Sequence, residues 1–194
     1  MAEETSVSHN SYILLSAGKS NSHGTCSSTI APDAKCSEKG NVYRLGYGYQ
    51  FTPTWGMQIS YGDFGRAEED GALAVPPAGV PGGGPIPYTW TWSAVGWEIA
   101  ATGTLHFGDS FSLIGKLGYL RANVEAEFVV ITTTNEIWHS EFHEVSNNTN
   151  ASIGAQYDFN RDFALRLQHD RYGKLGTTSK IDTRATILNA IFKF

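Results

Sequence analysis

The run Val42-Tyr43-Arg44-Leu45-Gly46-Tyr47-Gly48-Tyr49-Gln50-Phe51 decides the fold. Its odd positions carry Tyr43, Leu45, Tyr47, Tyr49 and Phe51; its even positions carry Arg44, Gly46, Gly48 and Gln50. A strand sends successive side chains to opposite faces, so an unbroken period of two predicts a β-strand. The chemistry of the two faces says more than the period. In a water-soluble barrel the apolar residues fill the inside and charges face water. Here one face is bulky and apolar, the other small or polar. Eight strands enclose a narrow interior, and bulky side chains in such numbers from one strand would overfill it. Glycine, serine and glutamine fit. The bulky face must therefore point outward, into lipid.

The pattern restarts after Thr52-Pro53-Thr54, with Trp55, Met57, Ile59 and Tyr61 opposite Gly56, Gln58, Ser60 and Gly62. A tight proline-containing turn joins the two segments into a hairpin. Val95 to Phe107 alternates in the same way, turns at Gly108-Asp109-Ser110, and returns through Phe111, Leu113, Gly115, Leu117 and Tyr119. Ala151 to Phe159 and Phe163 to Leu167 flank a third turn, Asn160-Arg161-Asp162. Leu188, Ala190, Phe192 and Phe194 share a face of the last segment, and a weaker first segment runs from Tyr12 to Lys19. This gives eight segments, each about as long as a tilted membrane strand. Short turns at 52–54, 108–110 and 160–162 alternate with long polar connections at about 20–41, 65–90, 124–148 and 172–183. That asymmetry places short turns in the periplasm and long loops outside the cell. The reading is all-β: an eight-stranded antiparallel transmembrane β-barrel occupying 1–194 as one domain. Lipid demands closure, because an open sheet edge would leave backbone groups unpaired. Tyr49, Phe51 and Trp55, then Phe107 and Phe111, then Tyr157, Phe159 and Phe163 dress the three turns as an aromatic girdle would.

Composition alone hides this. Hydrophobic residues are 41% of the chain and the mean hydropathy is -0.25, so a hydropathy scan reads a soluble protein. No run approaches the eighteen or so apolar residues of a membrane helix, but a barrel strand shows lipid only every second side chain. The net charge of -5 comes without a Lys/Arg cluster, which argues against nucleic acid as a partner. Met1 to Thr5 carries no apolar run of an export signal, which is taken as already removed.

Cys26 and Cys36 lie in a polar stretch without zinc-ligand spacing, and an oxidising compartment favours a disulfide closing a small loop between them. Loop two gathers Pro76, Pro77, Pro81, Pro85 and Pro87 around three glycines. Loop three is itself strand-like from Glu127 to Glu144, with Thr132 to Asn135 as its tip, and is expected to project above the membrane. His139, Glu141 and His143 share a face there; they are read as a solvated strand face, and no metal or other cofactor is assigned.

The residues resemble a family, the OmpA transmembrane domain. Gly48 to Tyr61 is similar to its second hairpin, Gly96-Trp97-Glu98 through Lys116-Leu117-Gly118 keeps its phasing, and Gly154 to Leu167 resembles its third hairpin. Phe192 and Phe194 match the terminal aromatic signal read by barrel-assembly machinery. The resemblance implies an outer-membrane barrel with structural, weak-pore and surface-interaction roles; many members carry a peptidoglycan-binding domain after the barrel, which this sequence does not include. It also implies a plug of carboxylate–cation pairs that exchange partners. Arg166 keeps the cation, but Gln58 and Gln156 stand where the carboxylates are expected and Thr102 where a competing lysine is expected, so that gate is broken here.

Arg44, Gln58, Glu98, Lys116, Gln156, Arg166 and Gln168 share the inner face and form the expected lumen network. Buried charges need partners, and Glu98 is the best-placed anion for the three cations. The expectation is a polar plug that fixes register; the sharper alternative is a narrow, weakly anion-favouring path past Arg44, Lys116 and Arg166. His106 near Asp109 and Ser110, and His169 near Asp170, are the candidates for lipid-modifying catalysis. Neighbours on a strand point apart, so His169 and Asp170 cannot pair, and the chain is read as no enzyme. The expected function is an outer-membrane structural barrel or weak porin-like pore, with a surface adhesin acting through the loops as the alternative. Expected partners are outer-membrane lipid and lipopolysaccharide, the assembly machinery and host surface molecules, with the barrel monomeric.

Overall fold

The computed structural model describes residues 10–23, 34–73, 85–131, 137–175 and 181–194. Its strands are β1 (Ser11–His23), β2 (Lys35–Ser37), β3 (Lys39–Gln50), β4 (Trp55–Leu73), β5 (Ile86–Phe107), β6 (Phe111–Ile131), β7 (Ile137–Asp158), β8 (Phe163–Leu175) and β9 (Ile181–Lys193). All pairings are antiparallel, and with the short β2 set aside each strand pairs with the next along the chain. The pairing of β1 with β9, from Tyr12↔Lys193 to His23↔Asp182, closes the ring. Eight strands make the barrel. The short β2 pairs with β4 beyond the end of β3, at Lys35↔Asp70.

Strand length divides the barrel into two zones. β1, β3, β8 and β9 have 12 or 13 residues, whereas β4 to β7 have 19 to 22. About 9–11 residues cross a bilayer, so β4 to β7 rise well beyond it as a sheet. The outer face marks the boundary. On β6 it reads Phe111, Leu113, Gly115, Leu117, Tyr119, then Arg121, Asn123, Glu125, Glu127. On β5 it is apolar from Phe107 up to Val95, then Ser93, Thr91, Thr89. Tyr43, Tyr61, Trp97 and Tyr119 form an upper aromatic rim, all exposed on the outside.

The lower rim is as expected. Tyr49 packs edge-on against Phe51 at 5.3 Å, Phe107 lies 6.2 Å from Phe111, and Tyr157, Phe159, Phe163 and Phe192 follow one another at 5.0 to 5.7 Å. Below them the turns are tied by their own side chains. Thr52 Oγ1 accepts the N–H of Trp55 at 3.0 Å, and Asn160 Oδ1 accepts the N–H of Phe163 at 2.7 Å, the habit of Thr and Asn in tight turns. Gly108 has φ +74°, the left-handed region that glycine enters without a Cβ penalty.

The structure corrects two expectations and bears out a third, the strand-like reading of loop three. The connections are shorter than read: strands continue to His23, Leu73, Ile131 and Leu175 and resume at Lys35, Ile86, Ile137 and Ile181. The strand-like third loop is the top of the β6–β7 hairpin, paired up to Ile131↔Ile137. Finally, the interior is not only small and polar. In the outer half Val42, Phe64, Trp92, Leu120, Val124, Tyr172 and Ile187 pack into an apolar core inside the barrel. Where the outside meets water rather than lipid, the usual polarity of a soluble sheet returns.

Residues 132–136, which include the proposed tip of loop three at Thr132 to Asn135, lie outside the described residues, as do Pro76, Pro77, Pro81 and Cys26. The Cys26–Cys36 pairing therefore stays an expectation, with Cys36 in β2.

Candidate functional site: the plugged lumen

Every residue expected in the lumen is buried inside it: Arg44, Gln58, Glu98, Lys116, Gln156, Arg166 and Gln168. They form two layers.

The upper layer is an ion network. Arg44 on β3 reaches across the barrel to Asp170 on β8, Nη2 to Oδ2 at 2.6 Å, and to Glu98 on β5, Nη1 to Oε2 at 3.3 Å. Lys116 on β6 pairs with the other oxygen of Glu98 at 2.5 Å and lies 4.0 Å from Asp170. The Tyr172 hydroxyl donates to Asp170 Oδ2 at 2.5 Å and accepts from Arg44 at 2.8 Å, while the Gln168 amide donates to Asp170 Oδ1. Two cations and two anions thus cancel in one knot held by four strands. The Arg44 guanidinium stacks under the ring of Phe64, 5.5 Å from its centroid, and so joins the knot to the apolar core above.

The lower layer centres on Arg166. Its Nε and Nη2 donate to Gln156 Oε1 at 3.0 and 2.9 Å, and Nη1 donates to Gln58 Oε1 at 3.4 Å. Its guanidinium also lies 5.8 Å from the ring centre of Tyr12. Tyr12 has room because position 48 is glycine; a Cβ there would come within 2.0 Å of the ring. The positions matched to the family's carboxylates do hold the arginine, but with neutral amides. Thr102, at the matched lysine position, is buried and is not among the hydrogen-bond partners of Arg166. Below, a cavity of about 380 Å³ opens at the turn end, lined in part by Tyr12, His106, Gln156, Asp158, Arg166 and Lys193.

Glu98 serves only two of the three cations; Arg166 belongs to the other layer. The second anion, Asp170, and its partner Tyr172 were not foreseen. The signal was present: Arg166, Gln168, Asp170 and Tyr172 keep one parity. His169 points the other way, outward, with Nδ1 3.1 Å from the Thr186 hydroxyl, and His106 is exposed at the lower mouth. The histidines of the projecting hairpin stand on its outer face, His139 at 3.1 Å from Glu127 and 3.0 Å from Glu141.

A closed ring of eight strands with lipid-grade residues outside and a charged plug inside agrees with the family comparison. The model of the OmpA-like transmembrane domain matches residues 7–192. The chain belongs to that family. As an OmpA-like barrel it is a bacterial outer-membrane protein, and solved structures of similar fold include others of that kind. Ail, the attachment invasion locus protein of Yersinia pestis, is 16% identical with TM-score 0.53, over 95% of this chain and 97% of that one. The N-terminal β-barrel domain of Pseudomonas aeruginosa OprF is also 16% identical with TM-score 0.53, over 95% and 98%. OprG, an outer membrane protein of Pseudomonas aeruginosa, is 11% identical with TM-score 0.54, over 95% and 93%. At these identities the likeness is one of fold. A search of curated proteins finds no match.

Proposed function

We propose that this OmpA-like barrel is a structural outer-membrane protein with a closed lumen, at most a weak pore, and not an enzyme. The observation that carries the reading is the double seal: the Arg44–Glu98–Lys116–Asp170 knot capped by Phe64 and Trp92. An ion passing upward would have to separate buried pairs and then cross a dry core, and each exposed charge would lose its partner. Of the three cations expected to line an anion path, two are neutralised by Glu98 and Asp170. Its partners on this reading are outer-membrane lipid and lipopolysaccharide around a monomeric barrel, with Phe192 and Phe194 engaging the assembly machinery. In planar bilayers the refolded chain is expected to give no sustained conductance. A large and steady open level would contradict the reading.

A second reading, surface adhesion, is favoured by the sheet that β4 to β7 raise above the membrane. Ile137, Trp138 and Phe142 are exposed near its top, and exposed aromatics mark interaction sites. Shortening the β6–β7 hairpin at Ile131 and Ile137 is expected to abolish binding to host matrix proteins on this reading; unchanged binding would remove it.

A further inference from the structure

Arg166 differs from the other lumen cations. It is only 5% exposed, yet among the described residues no carboxylate lies within ion-pairing distance of it. A guanidinium has five N–H donors, and the three bonds to Gln156 and Gln58 use three of them. Two amide oxygens supply dipoles but no negative charge. A buried cation without an anion is costly, so a site that keeps one in this way favours an anion from outside. Access exists, because Arg166 lines the cavity of about 380 Å³ that opens at the turn end, a size at the lower end of small-ligand sites. The rest of the wall does not cancel the charge. Asp158 is held by Lys193 at 2.7 Å and by the Gln156 amide nitrogen at 2.9 Å. His106, Thr104 and Gln50 add donors around the same space.

We propose that the cavity below the plug is an anion-binding site for a small oxyanion, with Arg166 as the group that contacts it. The planar guanidinium matches a two-oxygen edge. Gln156 and Gln58 are positioning residues that hold the guanidinium flat above the cavity. The site fills from the turn side, so it stands whether or not the plug above conducts.

The test uses isotope-labelled refolded barrel in neutral detergent, with inorganic phosphate titrated against chloride at constant ionic strength. The Nε–H signal of Arg166 and the side-chain amide of Gln156 are expected to move saturably. Gln58→Glu, which brings a carboxylate to Arg166 from within the barrel, is expected to weaken phosphate binding by about tenfold or more, as loss of a charge-assisted contact would. Arg166→Gln is expected to abolish it. If Arg166→Gln does not fold, Gln58→Glu alone decides. Equal phosphate binding by wild type and Gln58→Glu overturns the proposal. So does a non-saturating response, or movement confined to Arg44 and Lys116.

Discussion

Asp170 is the point where the upper network converges. It accepts from Arg44, Tyr172 and Gln168 and has Lys116 at 4.0 Å. Breaking one partner of a buried ion pair leaves an uncompensated charge, which costs about 3–5 kcal/mol. Asp170→Asn is therefore expected to lower the unfolding free energy in lipid vesicles by about that amount. Glu127→Gln, which removes the half-exposed pair with His139, is expected to change it by about 1 kcal/mol or less. Urea unfolding followed by tryptophan fluorescence checks both. Glu98, Arg44, Lys116 and Arg166 were legible in the sequence because strand parity put them on the face opposite the aromatics. Asp170 keeps the same parity as Arg166, but along the sequence it stands out only as the neighbour of His169. Which cation each anion would serve could not be read, because that depends on reach across the barrel, not on spacing along one strand.

Strands were legible where one face meets lipid, and much less so where both faces change character. β4 shows why. Its outward residues are odd-numbered up to Tyr61, and even-numbered from Arg66 to Asp70. The register shifts between Asp63 and Gly65, where Asp63 Oδ1 accepts the Gly65 N–H at 2.9 Å. A β-bulge inserts one residue and flips the parity of the strand beyond it, so simple alternation ends at Gly62 although the strand runs on to Leu73. Beyond the bulge the polarity of the faces is also reversed, with Arg66, Glu68 and Asp70 outside and Phe64 and Ala67 inside. On the lipid-facing part the face assignment makes a direct prediction. Leu117, 70% exposed on β6, sits between the two aromatic rims. Leu117→Arg is expected to destabilise the barrel by about 2–4 kcal/mol, as for a cation near the bilayer midplane. Glu125→Arg, two turns of the pleat above Arg121, is expected to cost much less. Refolding yield and unfolding midpoint in vesicles distinguish the pair.

For the whole molecule, two solvents act on one barrel. In the bilayer zone apolar side chains face out and charges face in; in the outer zone the sheet of β4 to β7 is polar outside and packs Phe64, Trp92, Leu120 and Val124 within. The apolar core and the charged knot both lie across the lumen, the observation on which the proposed structural role rests. Both zones depend on which side of the sheet lipid touches. The most direct measurement is quenching of single-tryptophan variants by brominated lipids. Trp55 and Trp97 lie on the outer face, 61% and 38% exposed, while Trp92 is 1% exposed inside. Strong quenching of Trp55 and Trp97, with Trp92 unaffected, is the expected result. Unquenched Trp55 and Trp97, or a Trp92 quenched as strongly as they are, would contradict the account.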